Sequence, residues 1–458
     1  MLKNCGRAAL STGVMLALAA AAPQCEAAVD LITALQKAFD QNPRYQAAEA
    51  EYRYDLEARP QAVAKLLPQL GVQGSASFNK EHYAGTSSFA EEVPSFYRDY
   101  LHIDSNDSYK SPTYEVGLAQ ALYHPQDFIG LSISDLQLTQ AKVALDEARS
   151  GLLFKVGQTY LEVLDAQDHL KYSVAQRNAL QKELEQDTAR HNAGLINDAD
   201  YAEIKASYAM SEADVAHSQG NLEVALSAFT TITGERFTEL KELPEEITLP
   251  TPDPDDITPW VSRAVEQNLA VVSSQLDTKI AKLEYDKARA SRLPVVDLVG
   301  GYTYQHPTGG YPGPHEAIEQ QIGIRIKQPI YTGGAIDSSV RSAQAKWDKA
   351  QALEDQSKVE AVQQARTAFF QVRSGMQQVP ALQEAIEAAE TGADAAEVGF
   401  RVGTRTAAEM LKAIEQLYQA QAAHSTARYS YLISTLQLKL AVGEISEADL
   451  QAINAWLH

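Results

Sequence analysis

Leu67-Pro68-Gln69-Leu70-Gly71-Val72-Gln73-Gly74-Ser75-Ala76-Ser77-Phe78 has a counterpart 226 residues downstream, Leu293-Pro294-Val295-Val296-Asp297-Leu298-Val299-Gly300-Gly301-Tyr302-Thr303-Tyr304. Before each proline the apolar spacing is helical, and after it the period becomes two. In the first copy Leu70, Val72, Gly74, Ala76 and Phe78 share one side; in the second, Val296, Leu298, Gly300, Tyr302 and Tyr304 do. Returning strands follow in both. Tyr114, Val116, Leu118 and Leu122 alternate with Glu115, Gly117 and Ala119, and Ile322, Ile324, Ile326 and Ile330 alternate with Gln321, Gly323, Arg325 and Lys327. An ordinary antiparallel sheet with one wet face has the same pattern. Four strands of about ten residues also have the length for a membrane barrel, but a barrel takes about eight strands. Several copies must therefore pool their strands, with apolar residues toward lipid and Glu115, Asp297, Arg325 and Lys327 toward a wet lumen.

The duplication extends beyond the strands. Ala34 to Asn42 and Pro43 to Leu66 read as helices, and Trp260 to Asn268 and the stretch up to Leu293 repeat them. No proline occurs between Gln126 and Leu243, where helix formers dominate. Apolar residues there recur at three and four, as in Leu152, Val156, Tyr160, Val163 and Leu164, or Leu411, Ile414, Leu417 and Tyr418. This predicts two long helical hairpins turning at Asn192-Ala193-Gly194 and Arg401-Val402-Gly403, with Gly194 and Gly403 at the tips. Ala335 to Gly399 alone would reach about 100 Å as unbroken helix. Pro380 is expected to kink or interrupt it.

The expected layout is a signal peptide (1–28), a first repeat (29–243), a proline-rich acidic linker (244–259), a second repeat (260–445) and a C-terminal segment (446–458). The β-hairpins fall at about 69–123 and 295–331, and the helical hairpins at about 126–240 and 335–443. Asn79 to Pro112 and Gln305 to Glu319 read as loops beyond the barrel, their tyrosines serving as an interfacial belt or as loop packing. Lys3, Arg7, the apolar run Ala8 to Ala22 and the small residues Ala27 and Ala28 carry the export reading. Both cysteines, Cys5 and Cys25, fall inside that leader, so cleavage leaves no thiol. A lipid-bearing Cys25 is the alternative, although Ala22-Pro23-Gln24 lacks the leucine and small residue usual before such a cysteine.

After the leader no apolar run approaches the roughly 18 residues of a membrane helix. A net charge of -21 in 458 residues excludes a basic nucleic-acid surface. The sequence has no nucleophile elbow, phosphate-binding glycine loop, dinucleotide fingerprint or metal-spaced His and Glu pair, and its ten histidines are scattered. No catalytic site, cofactor or metal is expected.

Gly399-Phe400-Arg401-Val402-Gly403-Thr404-Arg405-Thr406, Leu411 and Ala427-Arg428-Tyr429-Ser430-Tyr431-Leu432-Ile433 resemble the TolC family of outer-membrane ducts. The resemblance covers essentially the whole mature chain. Gln328-Pro329-Ile330-Tyr331-Thr332-Gly333-Gly334 is similar to the family's strand-to-helix junction, while Tyr123-His124-Pro125-Gln126-Asp127 lacks the glycine pair. Gln41-Asn42-Pro43 and Leu67-Pro68 resemble the branch used for type I protein secretion.

The resemblance implies a mainly α chain that trimerises into a twelve-stranded outer-membrane β-barrel, four strands per protomer, continued by a periplasmic α-helical barrel. It implies a passive exit duct for polypeptide, working with a periplasmic adaptor and an inner-membrane ABC transporter. It also implies a gate at the tip, where Arg405 ties to Asp200 of a neighbouring hairpin and Thr404 belongs to the second turn. Phe400 stands where the family often has tyrosine, which removes a hydroxyl link. Glu409 and Lys412 hold the positions of an acidic ring, so that Lys412 would pair with Glu409 across or within protomers, and Glu183 would tie to Arg428. Two other functions remain on the sequence, a drug-efflux duct of the same architecture and a periplasmic coiled-coil scaffold outside the membrane.

Overall fold

A computed structural model of the chain describes residues 28–86, 94, 102–237, 239–244 and 249–458. The leader with its two cysteines, and Phe96, Tyr97 and Tyr100 of the first loop, lie outside the described residues.

The first half runs α1 (Leu31–Gln41), α2 (Pro43–Leu56), α3 (Ala58–Ala64), β1 (Gln69–Thr86), β2 (His102–Tyr123), α4 (Pro125–Asn192) and α5 (Asp198–Thr233). The second half runs α6 (Ile257–Gln267), α7 (Leu269–Ala290), β3 (Val295–Gln305), β4 (Ala317–Lys327), α8 (Ala335–Arg401), α9 (Ala407–Ala441) and α10 (Glu447–Asn454). Pro43 fits the first helical position because its missing N–H needs no partner there. Asn42 caps it, its Oδ1 accepting from the backbone N–H groups of Arg44 at 3.0 Å and Tyr45 at 3.2 Å. Asn268 repeats this with Ala270 at 3.0 Å and Val271 at 3.3 Å. Each asparagine is also buried and donates its Nδ2 to the last turn of a long helix, Asn42 to the Ile232 carbonyl at 3.1 Å and Asn268 to the Ala441 carbonyl at 2.9 Å.

The four strands form one antiparallel sheet in the order β1-β2-β3-β4. Its register puts Gln73, Glu115 and Thr303 in one row and pairs Asp297 with Arg325 and Val295 with Lys327. The expected lumen residues Glu115, Asp297, Arg325 and Lys327 therefore share a face. Leu70, Val72, Leu118, Val116, Leu298, Tyr302, Ile322, Ile324 and Ile326 occupy the other. Within the chain that apolar face is uncovered: Val72 is 78% exposed and Ile322 80%.

The first loop is shorter than its sequence suggests. β1 and β2 remain paired from Gln69↔Ala119 to Thr86↔His102, so much of Asn79 to Pro112 is ladder. Beyond Phe78 the strands carry polar residues on both faces, which removes the period-two signal without removing backbone pairing. The second connection docks on this extension. The Gly310 N–H donates to Asp107 at 2.8 Å, the Thr308 N–H donates to the Lys110 carbonyl at 2.8 Å, and Tyr83 stacks on Tyr311 with ring centroids 4.3 Å apart. These tyrosines pack loops together.

Below the sheet, α4 with α5 and α8 with α9 are the long hairpins, and α4 also packs on α7 and α9. α5 stops at Thr233, where Gly234 takes φ +76°. α8 spans 67 residues and passes Pro380 uninterrupted. The proline is on the exposed face, so solvent can reach the backbone groups it leaves unbonded. The main core lies part-way along the helices, where α1, α6 and α10 gather round them and Leu152, Val156, Tyr160, Val163 and Leu164 are buried. Tyr160 Oη donates to the carbonyls of Val29 at 3.1 Å and Lys241 at 2.9 Å. The proline-rich linker is docked here as well. The Pro244 carbonyl accepts from Arg428, Pro250 from the Tyr431 hydroxyl, and Pro254 from Trp260 Nε1 at 2.9 Å.

Asn268→Ala removes a helix cap and leaves the buried Ala441 carbonyl without a donor, a loss of about 1–3 kcal/mol. A lowered thermal unfolding midpoint, followed by circular dichroism, is expected for it and for Asn42→Ala. An unchanged midpoint would contradict the bridging role.

Candidate gate and junction

The free ends of both helical hairpins meet. In the first, α4 ends at Asn192 and Gly194 turns the chain with φ +72°, a conformation that disfavours a Cβ. Asn197 then caps α5 and holds Asp200 twice, its Oδ1 accepting from the Asp200 N–H at 2.8 Å and its Nδ2 donating to Asp200 Oδ2 at 2.9 Å.

In the second hairpin Gly403 has φ +76°. The Thr404 N–H and Oγ1 both donate to the Gly399 carbonyl, at 2.8 and 3.1 Å, and the Arg405 N–H joins them at 3.2 Å. Thr406 and Glu409 form a reciprocal cap on α9. Thr406 Oγ1 accepts from the Glu409 N–H at 3.3 Å, and Glu409 Oε2 accepts from the Thr406 N–H at 2.9 Å. The Thr406 hydrogen bonds hold the Glu409 carboxyl below its usual range.

Within a single protomer none of the expected charged pairs is joined among the described residues. Glu409 is committed to its own helix start, and among the described residues no ion pair joins it to Lys412, which is exposed. Asp200 and Arg405 border the same cleft, a cavity of about 670 Å³ that Asn197, Phe400 and Gly403 also line. No ion pair joins them within the chain among the described residues. Glu183 and Arg428 are far apart along the tunnel. Arg428 reaches the Pro244 carbonyl, and its neighbour Tyr429 donates to Asp168 at 3.0 Å, which is 15 residues or roughly 22 Å of α4 above Glu183.

What joins the two tips is a residue the sequence did not single out. Arg190 sits over the Phe400 ring, 5.4 Å from its centroid, and donates to the Arg401 carbonyl at 3.3 Å. It is aimed by the fully buried Asp187, 3.1 Å away. Phe400 is 7% exposed and packs with Leu180, Ile204, Met410 and Leu411, so losing a tyrosine hydroxyl leaves an apolar anchor for this arginine. The i, i+3 spacing of Asp187 and Arg190 was readable, but its aim at α8 was not.

A second constellation lies where the barrel meets the helices. His124, between β2 and α4, places Nδ1 2.8 Å from Asp127 and Nε2 2.8 Å from Asp297 on β3. It stands where the second half uses Gly333 and Gly334, at φ +62° and +85°. One half turns by glycine freedom, the other by a clamped imidazole.

A sheet with apolar and polar faces, long coupled hairpins and tips pinned together describe a duct, and comparison with known proteins identifies the kind. The family model described as "Outer membrane efflux protein" matches residues 34–235 and 260–444. The chain belongs to the outer membrane efflux protein family. It is a channel protein of the outer membrane with a helical part beneath, and not an enzyme.

It is 27% identical to "Outer membrane protein TolC" of Vibrio cholerae over 433 residues, 94% of each chain. It is 24% identical to "Alkaline protease secretion protein AprF" of Pseudomonas aeruginosa over 93% of this chain and 87% of that one. The solved structure of the Campylobacter jejuni CmeC outer membrane channel superposes with a TM-score of 0.77 at 16% identity, covering 93% of this chain and 89% of that one.

In this efflux-family chain, burial alone would lower the His124 pKa, but the hydrogen bonds to Asp127 and Asp297 outweigh it and hold the value above 6.5. A pKa raised by folding gives stabilisation that is full below the unfolded value and lost as pH rises through the folded one. Wild-type stability relative to His124→Gln should therefore shrink as pH is raised from about 6 toward 9. Denaturation midpoints of both proteins across that range measure it, and a constant difference would refute the clamp's charge.

Proposed function

We propose that this chain is the outer-membrane duct of a type I secretion system, a passive exit for polypeptide driven by an inner-membrane ABC transporter through a periplasmic adaptor. The observation that carries the reading is the end-to-end match to the alkaline protease secretion protein. Three copies pool their four-stranded sheets into one barrel, with Glu115, Asp297, Arg325 and Lys327 toward the lumen and the isoleucine and valine face toward outer-membrane lipid. The alternative within the same fold is drug efflux, which the family model's name favours.

A deletion strain separates the two. Loss of export of the polypeptide encoded beside the gene, with drug susceptibility unchanged, is expected. Continued export in the absence of a sister duct rejects the secretion reading, and altered drug susceptibility with intact export assigns efflux. Discrete conductance in planar bilayers is expected for either and excludes a membrane-free scaffold.

At the tip, Arg405 of one protomer ties to Asp200 of the next, a reading supported by the fact that among the described residues neither is held by an ion pair in its own chain. A closed state that opens to a partner's contacts needs ties of a few kcal/mol in all. Asp200→Asn with Arg405→Gln should raise single-channel conductance by loosening the tip. The same conductance in a correctly assembled trimer would remove these residues from the gate.

A further inference from the structure

The buried carboxyls beside Arg190 do not balance. Glu183 is 5% exposed and Asp187, one helical turn nearer the tip, is fully buried. α8 adds Glu397 and Arg401, already paired with each other at 2.6 Å. Arg190 is paired with Asp187. The other elements packed here contribute no further buried charge among the described residues. Ile204 of α5 and Met410 and Leu411 of α9 are apolar. Tyr208 of α5 gives its hydroxyl to Glu212 at 3.0 Å, and Glu409 and Lys412 of α9 are exposed.

Three carboxyls thus share two guanidinium groups. Glu183 Oε1 and Asp187 Oδ2 are both shut from solvent without a hydrogen-bond partner. A buried carboxylate without a partner is expensive, and taking up a proton relieves it. Burial, then Asp187, then Glu397 push the Glu183 carboxyl up, against the pull of Arg401 and Arg190. Protonated, Glu183 is neutral and carries a donor of its own.

We propose that Glu183 is a proton-operated switch for the tip: protonated, it leaves Arg190 on the second turn, and deprotonated, it draws Arg190 back along α4 and frees the α8–α9 turn. Both states draw on one guanidinium. Arg190 reaches α8 through one donor to the Arg401 carbonyl and one ring face on Phe400. Arg401 pulls on Glu183 more strongly but is already held by Glu397, so Arg190 is the guanidinium that a charged Glu183, two turns away on the same helix, can draw.

This inference rests on the reading of the chain as a gated duct, and the experiment separates the two. Single-channel conductance is recorded in planar bilayers across acidic to alkaline pH for the assembled wild type, Glu183→Gln and Arg190→Gln. Wild type should show a several-fold rise in conductance with pH. Glu183→Gln should stay at the low acidic value throughout, and Arg190→Gln should stay high. A Glu183→Gln channel that keeps the wild-type pH profile overturns the switch, whereas no channel from any assembled protein overturns the duct reading instead.

An infrared measurement checks the proton itself without requiring conduction. On titration from acidic to alkaline pH, wild type should keep a protonated-carboxyl band to higher pH than its exposed carboxyls do, and Glu183→Gln should lose that band. An identical band in both proteins assigns the proton elsewhere and overturns the proposal.

Discussion

Two strands paired on one side only govern the rest of this molecule. β1 and β4 are the edges of the four-stranded sheet, and each presents a row of backbone N–H and C=O groups that no strand among the described residues satisfies. Beside them lies a continuous apolar face carrying Leu70, Val72, Ile322, Ile324 and Ile326. In hydrocarbon each unpaired group costs several kcal/mol, so such a sheet is admissible only when its edges are closed by other copies. Joining β4 of one copy to β1 of the next is a head-to-tail contact, which forms a ring where the rotation between copies closes. A ring of sheets then requires the helices hanging from it to form a ring too, which is why both halves place a sharp turn directly below their strands.

That turn is made in two chemically different ways, and the contrast shows what a duplicated chain preserves. Asn42 and Asn268 are equivalent in place and function, each capping one helix while bonding the end of another. They hold the short helices to the tunnel at the same level in both halves. The junctions below the strands have diverged. Gly333 and Gly334 adopt positive φ, while His124 is fixed by two carboxylates from different elements. A backbone conformation and a charged clamp solve one geometric problem, but only the clamp depends on pH.

What could be read from sequence followed from local periodicity. The change of period after Pro68 and Pro294 marked the strands, and Gly194 and Gly403 marked the tips, because each reports a backbone requirement of the residue itself. Where two distant elements decide the outcome, the sequence was silent or misleading. The polar residues beyond Phe78 carry no alternation, yet they pair because the partner strand continues beside them. Pro244 to Pro259 reads as a tether, yet its carbonyls receive Arg428, Tyr431 and Trp260. Arg428 therefore faces the linker, far from Glu183. Within the chain the Glu409 carboxylate is taken by the N–H groups at the start of its own helix, a partner nearer than Lys412. Arg190 gave no signal, since an arginine three residues after an aspartate on a helix is ordinary until a second hairpin lies across it.

The tip can move because its packing is divided. Within the second turn the constraints are dense: Gly399 receives three donors, Gly403 occupies the left-handed region, and Thr406 and Glu409 cap each other. Such a turn moves as a body. Between the hairpins, by contrast, the described residues form only a small apolar cluster around Leu180, Ile204, Phe400 and Met410, joined by Arg190 and separate from the main core. Local opening takes place where buried apolar contact is least, so displacement belongs to the contact between hairpins and not to the turns. A charge placed at that contact acts on the weakest junction of the tunnel, and a carboxyl buried there has far more effect on the tip than any of the exposed acids along its walls.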